Sequence, residues 1–200
     1  MILIGLTGII GSGKTFALNF YKKKGYSIFS ADEEVKKILK TSIVKKKINK
    51  SFPEVFDRNK LNKNKLAQIV FSNKNKLKKI ENIIHPIVNK KKNLFIKKNR
   101  KKIIILEIPI IFEKKSAKNY DYIILMQINK KKQFERVIKR KNMTLKLLND
   151  INLNQISSRQ KKYADFIVNN NNSKQETKKK LQSILNEILV KNNFTTGRVK

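Results

Sequence analysis

Five short apolar segments along the chain have the pattern of buried parallel strands. Turn or polar residues bound each one, and segments with helical spacing separate them. The five segments are 1–7, 26–30, 103–107, 122–128 and 164–169. Strands that alternate with helices predict an α/β fold with a five-stranded parallel sheet and right-handed crossovers.

The segments between these strands predict helices. A helix over 16–24 follows the first strand, and 174–191 carries leucines and isoleucines on one face. The long segment 41–100 is helical in pattern, and no convincing strand interrupts it. We therefore expect a helical insertion between the second and third strands. Pro86 lies inside this pattern and predicts a break or kink there.

The segment between the fourth and fifth strands is also helical. Its first part, 130–141, places Arg136 and Arg140 one turn apart, so that a helix would present both guanidinium groups on one face. Planar, bidentate phosphate contacts are one interpretation of this pair, and an ordinary solvated basic face is the other. The second part, 142–162, is polar and predicts a flap that covers a nucleotide.

A glycine-rich stretch joins the first strand to the first helix and fits the phosphate-binding pattern G-x-x-x-x-G-K-[ST]. It consists of Gly8, Ile9, Ile10, Gly11, Ser12, Gly13, Lys14 and Thr15. In such a loop the backbone N–H groups form an anion cradle at a helix N-terminus. We expect Lys14 to reach the β- and γ-phosphates and the Thr15 hydroxyl to bind Mg²⁺. A chance match is the alternative, and the flanking strand and helix count against it.

Three further residues carry candidate chemistry. Asp32 follows the second strand, where α/β folds place catalytic groups, but a helix N-cap or first-turn acid is an equal alternative. His85 is the one histidine of the chain, and a lone histidine is more often structural than functional. Glu107 ends the third strand, like the carboxylates that support Mg²⁺ through water in phosphate-loop enzymes.

Composition narrows the class of protein. A length of 200 residues suits one domain, and no apolar run is long enough for a membrane span. The N-terminus lacks the pattern of a signal peptide. With no cysteine, disulfides and thiolate metal sites are excluded. These features lead us to expect a monomeric, cytoplasmic enzyme.

The formal net charge of +34 has two interpretations. A basic surface binds nucleic acid by releasing counterions. Compositional drift is the interpretation we favour, because lysine is spread over every segment and accompanied by abundant asparagine, as AT-rich codons produce. We therefore expect no specific nucleic-acid partner, although the charge attracts anionic substrates.

Taken together, the segments resemble dephospho-CoA kinases from residue 4 to about residue 172. The residues that carry the resemblance are Gly5-Leu6-Thr7-Gly8 with the phosphate loop, Ser30-Ala31-Asp32, His85-Pro86, Glu107-Ile108-Pro109 with Phe112-Glu113, Gln133 with Arg136 and Arg140, Gln155, and Ala164-Asp165 leading to Asn170. Their order is far more specific than the loop alone.

The resemblance implies a P-loop kinase three-layer fold in one domain. Its expected parts are a core (1–30, 102–130 and 163–191), a helical substrate-binding lobe (about 31–101), a lid (about 131–162) and a tail (192–200). The implied reaction transfers the γ-phosphate of ATP, with Mg²⁺, to the 3′-hydroxyl of dephospho-CoA, the last step of coenzyme A biosynthesis. The alternatives are another nucleoside or nucleotide kinase on this scaffold and, less favoured, a basic nucleic-acid-binding NTPase.

The resemblance also assigns roles to residues. Asp32 is the implied general base, with Lys14 and Arg140 neutralising charge on the transferred group. The implied nucleotide site is the loop from Gly8 to Thr15 with Arg136, Arg140 and Asn170. The implied substrate site is Thr7, Asp32, His85, Glu107 and Pro109.

Four positions depart from the family's usual residues. Ile9 replaces a glycine, and a positive φ at that position would cost a β-branched residue about 1–2 kcal/mol. Ser30 and Glu107 each stand where aspartate is usual, and Lys36 stands where arginine or histidine is common. These departures bear on rate and affinity more than on the type of reaction.

Overall fold

The computed structural model describes residues 1–107, 116–155 and 161–193. The predicted site residue Pro109, with its neighbours Ile108 to Glu113, lies outside the described residues. So do Arg159, Gln160 and the tail from residue 194 onwards.

The secondary structure alternates strands and helices as expected. The strands are β1 (Ile2–Thr7), β2 (Ser27–Ser30), β3 (Phe56–Asp57), β4 (Lys60–Leu61), β5 (Ile103–Glu107), β6 (Tyr122–Gln127) and β7 (Phe166–Asn169). The helices are α1 (Lys14–Lys23), α2 (Ala31–Ile38), α3 (Ser42–Ser51), α4 (Lys63–Phe71), α5 (Lys74–Lys98), α6 (Lys130–Val137), α7 (Leu145–Asn154) and α8 (Lys174–Lys191). Short 3₁₀ turns cover Pro53–Val55, Ser116–Asn119 and Lys161–Tyr163.

The main sheet has five strands in the order β2-β5-β1-β6-β7, and every neighbouring pair is parallel. The strand that leads into the phosphate loop, β1, is therefore central. In the register of the sheet, Glu107 lies opposite both Leu6 and Ser30. Because parallel strands end at the same edge, this edge gathers the loop, Glu107 and the start of α2. The predicted five-stranded parallel sheet is confirmed.

Helices cover both faces of the sheet. On one face, Ile4 and Leu6 pack against Tyr21 of α1 and Leu181 of α8. On the other face, Ile104 and Leu106 belong to a second buried cluster with α2, α3, α4 and α5. The three layers bury apolar side chains on both sides of the central strands, and this explains why those strands read as continuous apolar runs.

Of the break or kink predicted at Pro86, the break is wrong. Helix α5 continues through this residue from Lys74 to Lys98. Proline removes one helical N–H, but Ile80 and Val88 on either side are buried in the second cluster, and α5 contacts α2, α3 and α4. Packing along the whole helix outweighs the loss of one hydrogen bond.

Two other predictions about the helical segments need correction. A small antiparallel hairpin, β3–β4, interrupts 41–100, and its turn residues Arg58 and Asn59 both have positive φ. Two-residue turns of this kind match the twist of a hairpin. Helix α6 ends at Val137 instead of continuing to 141. The chain then reverses at Asn142, which has a φ of +64°, so Arg140 lies beyond the helix.

Candidate active site

The phosphate loop depends on glycine at defined positions. Gly8, Gly11 and Gly13 have φ angles of +148°, +81° and +99°. A Cβ atom on Gly13 would clash with the side-chain nitrogen of Asn170, and one on Gly8 would clash with the carbonyl of Met126. The pattern of glycines is thus explained by backbone conformation and by close neighbours.

Ile9 does not require the left-handed conformation, since it is not among the residues with positive φ. The strain considered for this departure from the family is therefore absent. The side chain is half-buried and lines a cavity next to the loop.

Lys14 is buried, and its ammonium group is folded back onto the loop. Its Nζ donates to the carbonyl oxygens of Gly8 at 2.9 Å and of Ile9 at 3.3 Å. The cation is thus placed over the centre of the loop. Thr15, one residue further into α1, is exposed.

Asn170 joins the end of β7 to the phosphate loop. Its Nδ2 donates to the carbonyl of Ser12 at 2.8 Å, and its Oδ1 accepts from Thr177 Oγ1 at 2.9 Å. Arg136 donates to the carbonyl of Asn170 at 3.0 Å, which places this guanidinium beside the loop. Arg140 is exposed in the turn after α6.

A buried carboxyl group lies at the same edge of the sheet. Glu107 is only 1% exposed, and Ser30 Oγ donates to its Oε2. Burial raises the pKa of Glu107, and the nearby charge of Asp32 raises it further, while the Ser30 hydrogen bond and Lys14 act in the opposite direction. Asp32 and Lys14 therefore both lie within electrostatic reach of this carboxyl group.

Asp32 is exposed in the first turn of α2, and it is not the N-cap of that helix. Ser30 is the N-cap, since its side chain accepts from Glu33 N at 3.3 Å. The helix-cap alternative is thus met by Ser30, whereas Asp32 is one of the acids in the first turn of α2, which was the other structural alternative. Asp32 lies shortly after β2, at the edge of the sheet where Glu107 ends β5 and the loop follows β1.

Three buried oxygen atoms at this edge have no hydrogen-bond partner within the described part of the chain. They are Thr7 Oγ1, Ser12 Oγ and Glu107 Oε1. Buried polar groups in folded proteins are almost always satisfied. Their clustering around the loop is therefore what a site that binds a polar ligand should show.

His85 lies on α5 and is half-buried. Helix α5 packs against α2, which carries Asp32. The histidine is thus on the helical insertion, as predicted, and its role stays a prediction.

A cavity of about 960 Å³ opens beside the loop, between α6, α7 and the ends of β6 and β7. Its lining is rich in carboxamides, including Gln127, Gln133, Asn152 and Gln155, and includes Ile9. Asp32 and Glu107 do not line it. The strand order places these carboxylates on the β2–β5 side of the loop and the cavity on the β6–β7 side. The cavity and the two carboxylates therefore lie on opposite sides of the loop.

Neither a metal cage nor a membrane span is found in the described ranges. No three histidine, cysteine, aspartate or glutamate side chains converge there in a way that would hold a metal ion. No described helix has the length and apolar character needed to cross a bilayer.

Comparisons with known proteins show the family of the chain. The family model for dephospho-CoA kinase matches residues 2–176. The chain belongs to the dephospho-CoA kinase family. A dephospho-CoA kinase of Bartonella quintana is 39% identical over 193 residues, covering 94% of this chain and 99% of its own. One from Fusobacterium nucleatum is 34% identical over 186 residues, covering 91% and 96%.

Solved structures support the same assignment. A dephospho-CoA kinase from Campylobacter jejuni aligns with a TM-score of 0.64 and 26% identity, covering 95% of this chain and 98% of its own. A Thermus thermophilus protein aligns with a TM-score of 0.79 and 25% identity, covering 94% and 97%. A shikimate kinase from Acinetobacter baumannii aligns with a TM-score of 0.55 and 14% identity, covering 96% of this chain and 94% of its own. At this identity the likeness shows the shared fold alone. The P-loop kinase fold and the family resemblance are thereby confirmed.

The raised pKa of Glu107 leads to a prediction about stability. A carboxyl group with a folded-state pKa above its ordinary value of 4.5 contributes stability that is complete below that value and lost as the pH rises through the folded pKa. Glu107→Gln removes this loss, so the variant should gain stability relative to the unaltered protein as the pH rises from 4.5 to 7. Denaturant unfolding at several pH values measures it.

The exposed Glu135→Gln variant is the matched control for this titration and should run parallel to the unaltered protein. A Glu107→Gln curve that also runs parallel would show that the buried carboxyl does not titrate as described.

Proposed function

We propose that this chain transfers the γ-phosphate of ATP to the 3′-hydroxyl of dephospho-CoA, giving ADP and coenzyme A. Membership of the dephospho-CoA kinase family supports the reaction. The observation that carries the proposal for this chain's own residues is geometric. The phosphate loop follows β1, Asp32 follows β2 and Glu107 ends β5, and β5 pairs in parallel with both β1 and β2, so all three lie at one edge of the sheet.

The nucleotide phosphates would be bound by the loop from Gly8 to Thr15. Lys14 now donates to two carbonyls of its own loop, and phosphate oxygens are stronger acceptors for an ammonium group. The unpartnered hydroxyl of Ser12 lies in the same loop. We place Arg136, Arg140 and Asn170 beside the nucleotide, because Arg136 and Asn170 already contact each other next to the loop.

The residues present also suit Mg²⁺. Thr15 offers an exposed hydroxyl at the start of α1, and Glu107 offers a carboxylate oxygen for a water-mediated contact. Magnesium in kinases takes few protein ligands, since phosphates and waters supply the rest, which agrees with the lack of a protein-only cage among the described residues. When bound, the ion would neutralise negative charge on the phosphates.

Asp32 would act as the general base. Its carboxylate accepts the proton of the 3′-hydroxyl while that oxygen bonds to the γ-phosphorus and the bond to the bridging oxygen of ADP breaks. Lys14 and Arg140 would stabilise charge on the transferred group.

The acceptor would lie between the loop and the helical lobe of about 31–101, which α2 to α5 form. Thr7 and Glu107 each have a buried oxygen without a partner among the described residues, and we assign them, with His85 and Pro109, to this substrate site. Residues of about 131–162, with α6 and α7, would form the lid. We propose that the enzyme works as a monomer in the cytoplasm.

A panel of acceptors tests this function directly. Purified protein with ATP and Mg²⁺ should form ADP rapidly with dephospho-CoA, with coenzyme A identified by mass, and EDTA should abolish the reaction. Adenosine, AMP and shikimate are the control acceptors, and turnover with them should be at least about 100-fold lower, since a site built for one acceptor discriminates strongly. Equal turnover with a nucleoside, or ATP hydrolysis that only RNA stimulates, would contradict the proposal.

The role of Asp32 is tested by Asp32→Asn. The variant should bind ATP nearly as well as the unaltered protein, while turnover falls by about 100-fold or more because general-base help is lost. Calorimetry and the ADP assay measure the two effects. The control is Glu33→Gln, which changes the neighbouring exposed acid of α2 and should keep turnover within about twofold of the unaltered enzyme. Near-normal turnover in Asp32→Asn would remove this residue from the mechanism.

A further inference from the structure

Two side chains of the lid region bind one residue of the phosphate loop, Ile10, through its backbone N–H and its backbone carbonyl. Gln155 Oε1 accepts a hydrogen bond from the backbone N–H of Ile10 at 2.7 Å. Gln133 Nε2 donates to the backbone carbonyl of Ile10 at 2.9 Å. The two side chains are 145 and 123 residues away in sequence, so the contact is built by the fold. Both backbone groups of Ile10 are thereby occupied.

A third carboxamide, that of Asn152, holds Gln133 in place. Gln133 Nε2 donates to Asn152 Oδ1 at 2.9 Å, and Asn152 Nδ2 donates back to Gln133 Oε1 at 3.4 Å. Gln133 is only 4% exposed, so its orientation is fixed by these bonds and not by water. Sequence reasoning missed Asn152; the signal was its position three residues before Gln155, on the same side of a helix.

The same end of α7 is also bonded to the helical lobe. Asn154 Nδ2 donates to the carbonyl of Phe71, the last residue of α4, at 3.0 Å. Helix α7 therefore lies between two parts of the molecule. Gln155, directly after the last residue of α7, contacts the phosphate loop, and Asn154 contacts the proposed substrate lobe.

The two hydrogen bonds to Ile10 fix the planes of two successive peptide groups, Ile9–Ile10 and Ile10–Gly11. In a trans peptide the C=O and the following N–H point in opposite directions. Holding the carbonyl of Ile10 therefore directs the N–H of Gly11 away from α6. The N–H of Ile10 points to Gln155, so the carbonyl of Ile9 in the same peptide group points away from Gln155. This carbonyl accepts from Ser12 N at 3.2 Å and from Lys14 Nζ at 3.3 Å.

We propose that Gln133 and Gln155 are positioning residues that set the shape of the phosphate loop through Ile10 and so link the position of the lid helix α7 to nucleotide binding. They act through the loop backbone and need no contact with the nucleotide. The expected effect on kinetics rests on the proposed function. The expected effect on the backbone of the phosphate loop does not depend on that function.

Hydrogen exchange of the protein without ligand tests the structural part. Gln155→Ala should raise the exchange rate of the Ile10 amide by about tenfold or more, because its acceptor is lost. Gln155→Glu keeps an acceptor oxygen and should restore most of the protection. The control Asn149→Ala removes an exposed carboxamide of the same helix and should change nothing. Unchanged Ile10 exchange in a folded Gln155→Ala variant would overturn the proposal.

Steady-state kinetics test the functional part. Gln155→Ala should raise the KM for ATP about fivefold to tenfold, as expected for the loss of one hydrogen bond, with a smaller effect on the KM for dephospho-CoA. The double variant Gln133→Ala, Gln155→Ala should show less than the product of the single effects, since both side chains act on the same residue, Ile10. An unchanged KM for ATP, or independent effects in the double variant, would contradict the proposal. ATP affinity measured by calorimetry gives the same comparison without turnover, so a failure of the proposed reaction is distinguishable from a failure of this inference.

Discussion

The phosphate loop has to keep its backbone open towards an anion, and this constraint organises the rest of the molecule. Three glycines take positive φ angles within six residues, a conformation that an isolated peptide would populate only in part. The fold holds it from several directions. Lys14 binds the loop from inside, Asn170 reaches it from the end of β7, and Gln133 reaches it from α6. A parallel sheet makes this possible, because its strands all end at the edge where the loop begins.

The second constraint is electrostatic. The site brings together a buried carboxyl, an exposed carboxylate and a buried ammonium group, which would repel or attract one another strongly in a dry environment. Burial raises the pKa of Glu107. Ser30 donates a hydrogen bond to one of its oxygens, and the positive charge of Lys14 acts against the rise in pKa. The structure also explains two departures from the family together. A short hydroxyl at position 30 lies opposite a longer acid at position 107 on neighbouring strands, and the two are bonded.

Much of this was predictable from the sequence, because the signals were local. Buried parallel strands read as apolar runs, the loop carries a specific pattern, and the limits of α8 follow from its apolar face and from the capping box of Ser173 and Glu176. The failures have the opposite cause. Helix α5 continues through Pro86 because contacts distant in sequence stabilise it, and the carboxamides around Ile10 meet only when the segment with α6 and α7 folds back on the loop. Pattern reasoning detects periodicity along the chain and not contacts across 100 or more residues.

The central claim is that the phosphate loop and Asp32 present a nucleotide and a sugar hydroxyl to each other. A crystal structure with a non-hydrolysable ATP analogue, Mg²⁺ and dephospho-CoA tests it most directly, through the distance from the Asp32 carboxylate to the 3′-hydroxyl oxygen. We expect about 2.6–3.2 Å, the range in which a general base can accept a proton. A ternary complex in which Asp32 faces away from the acceptor, with no water bridging the two, would contradict the account.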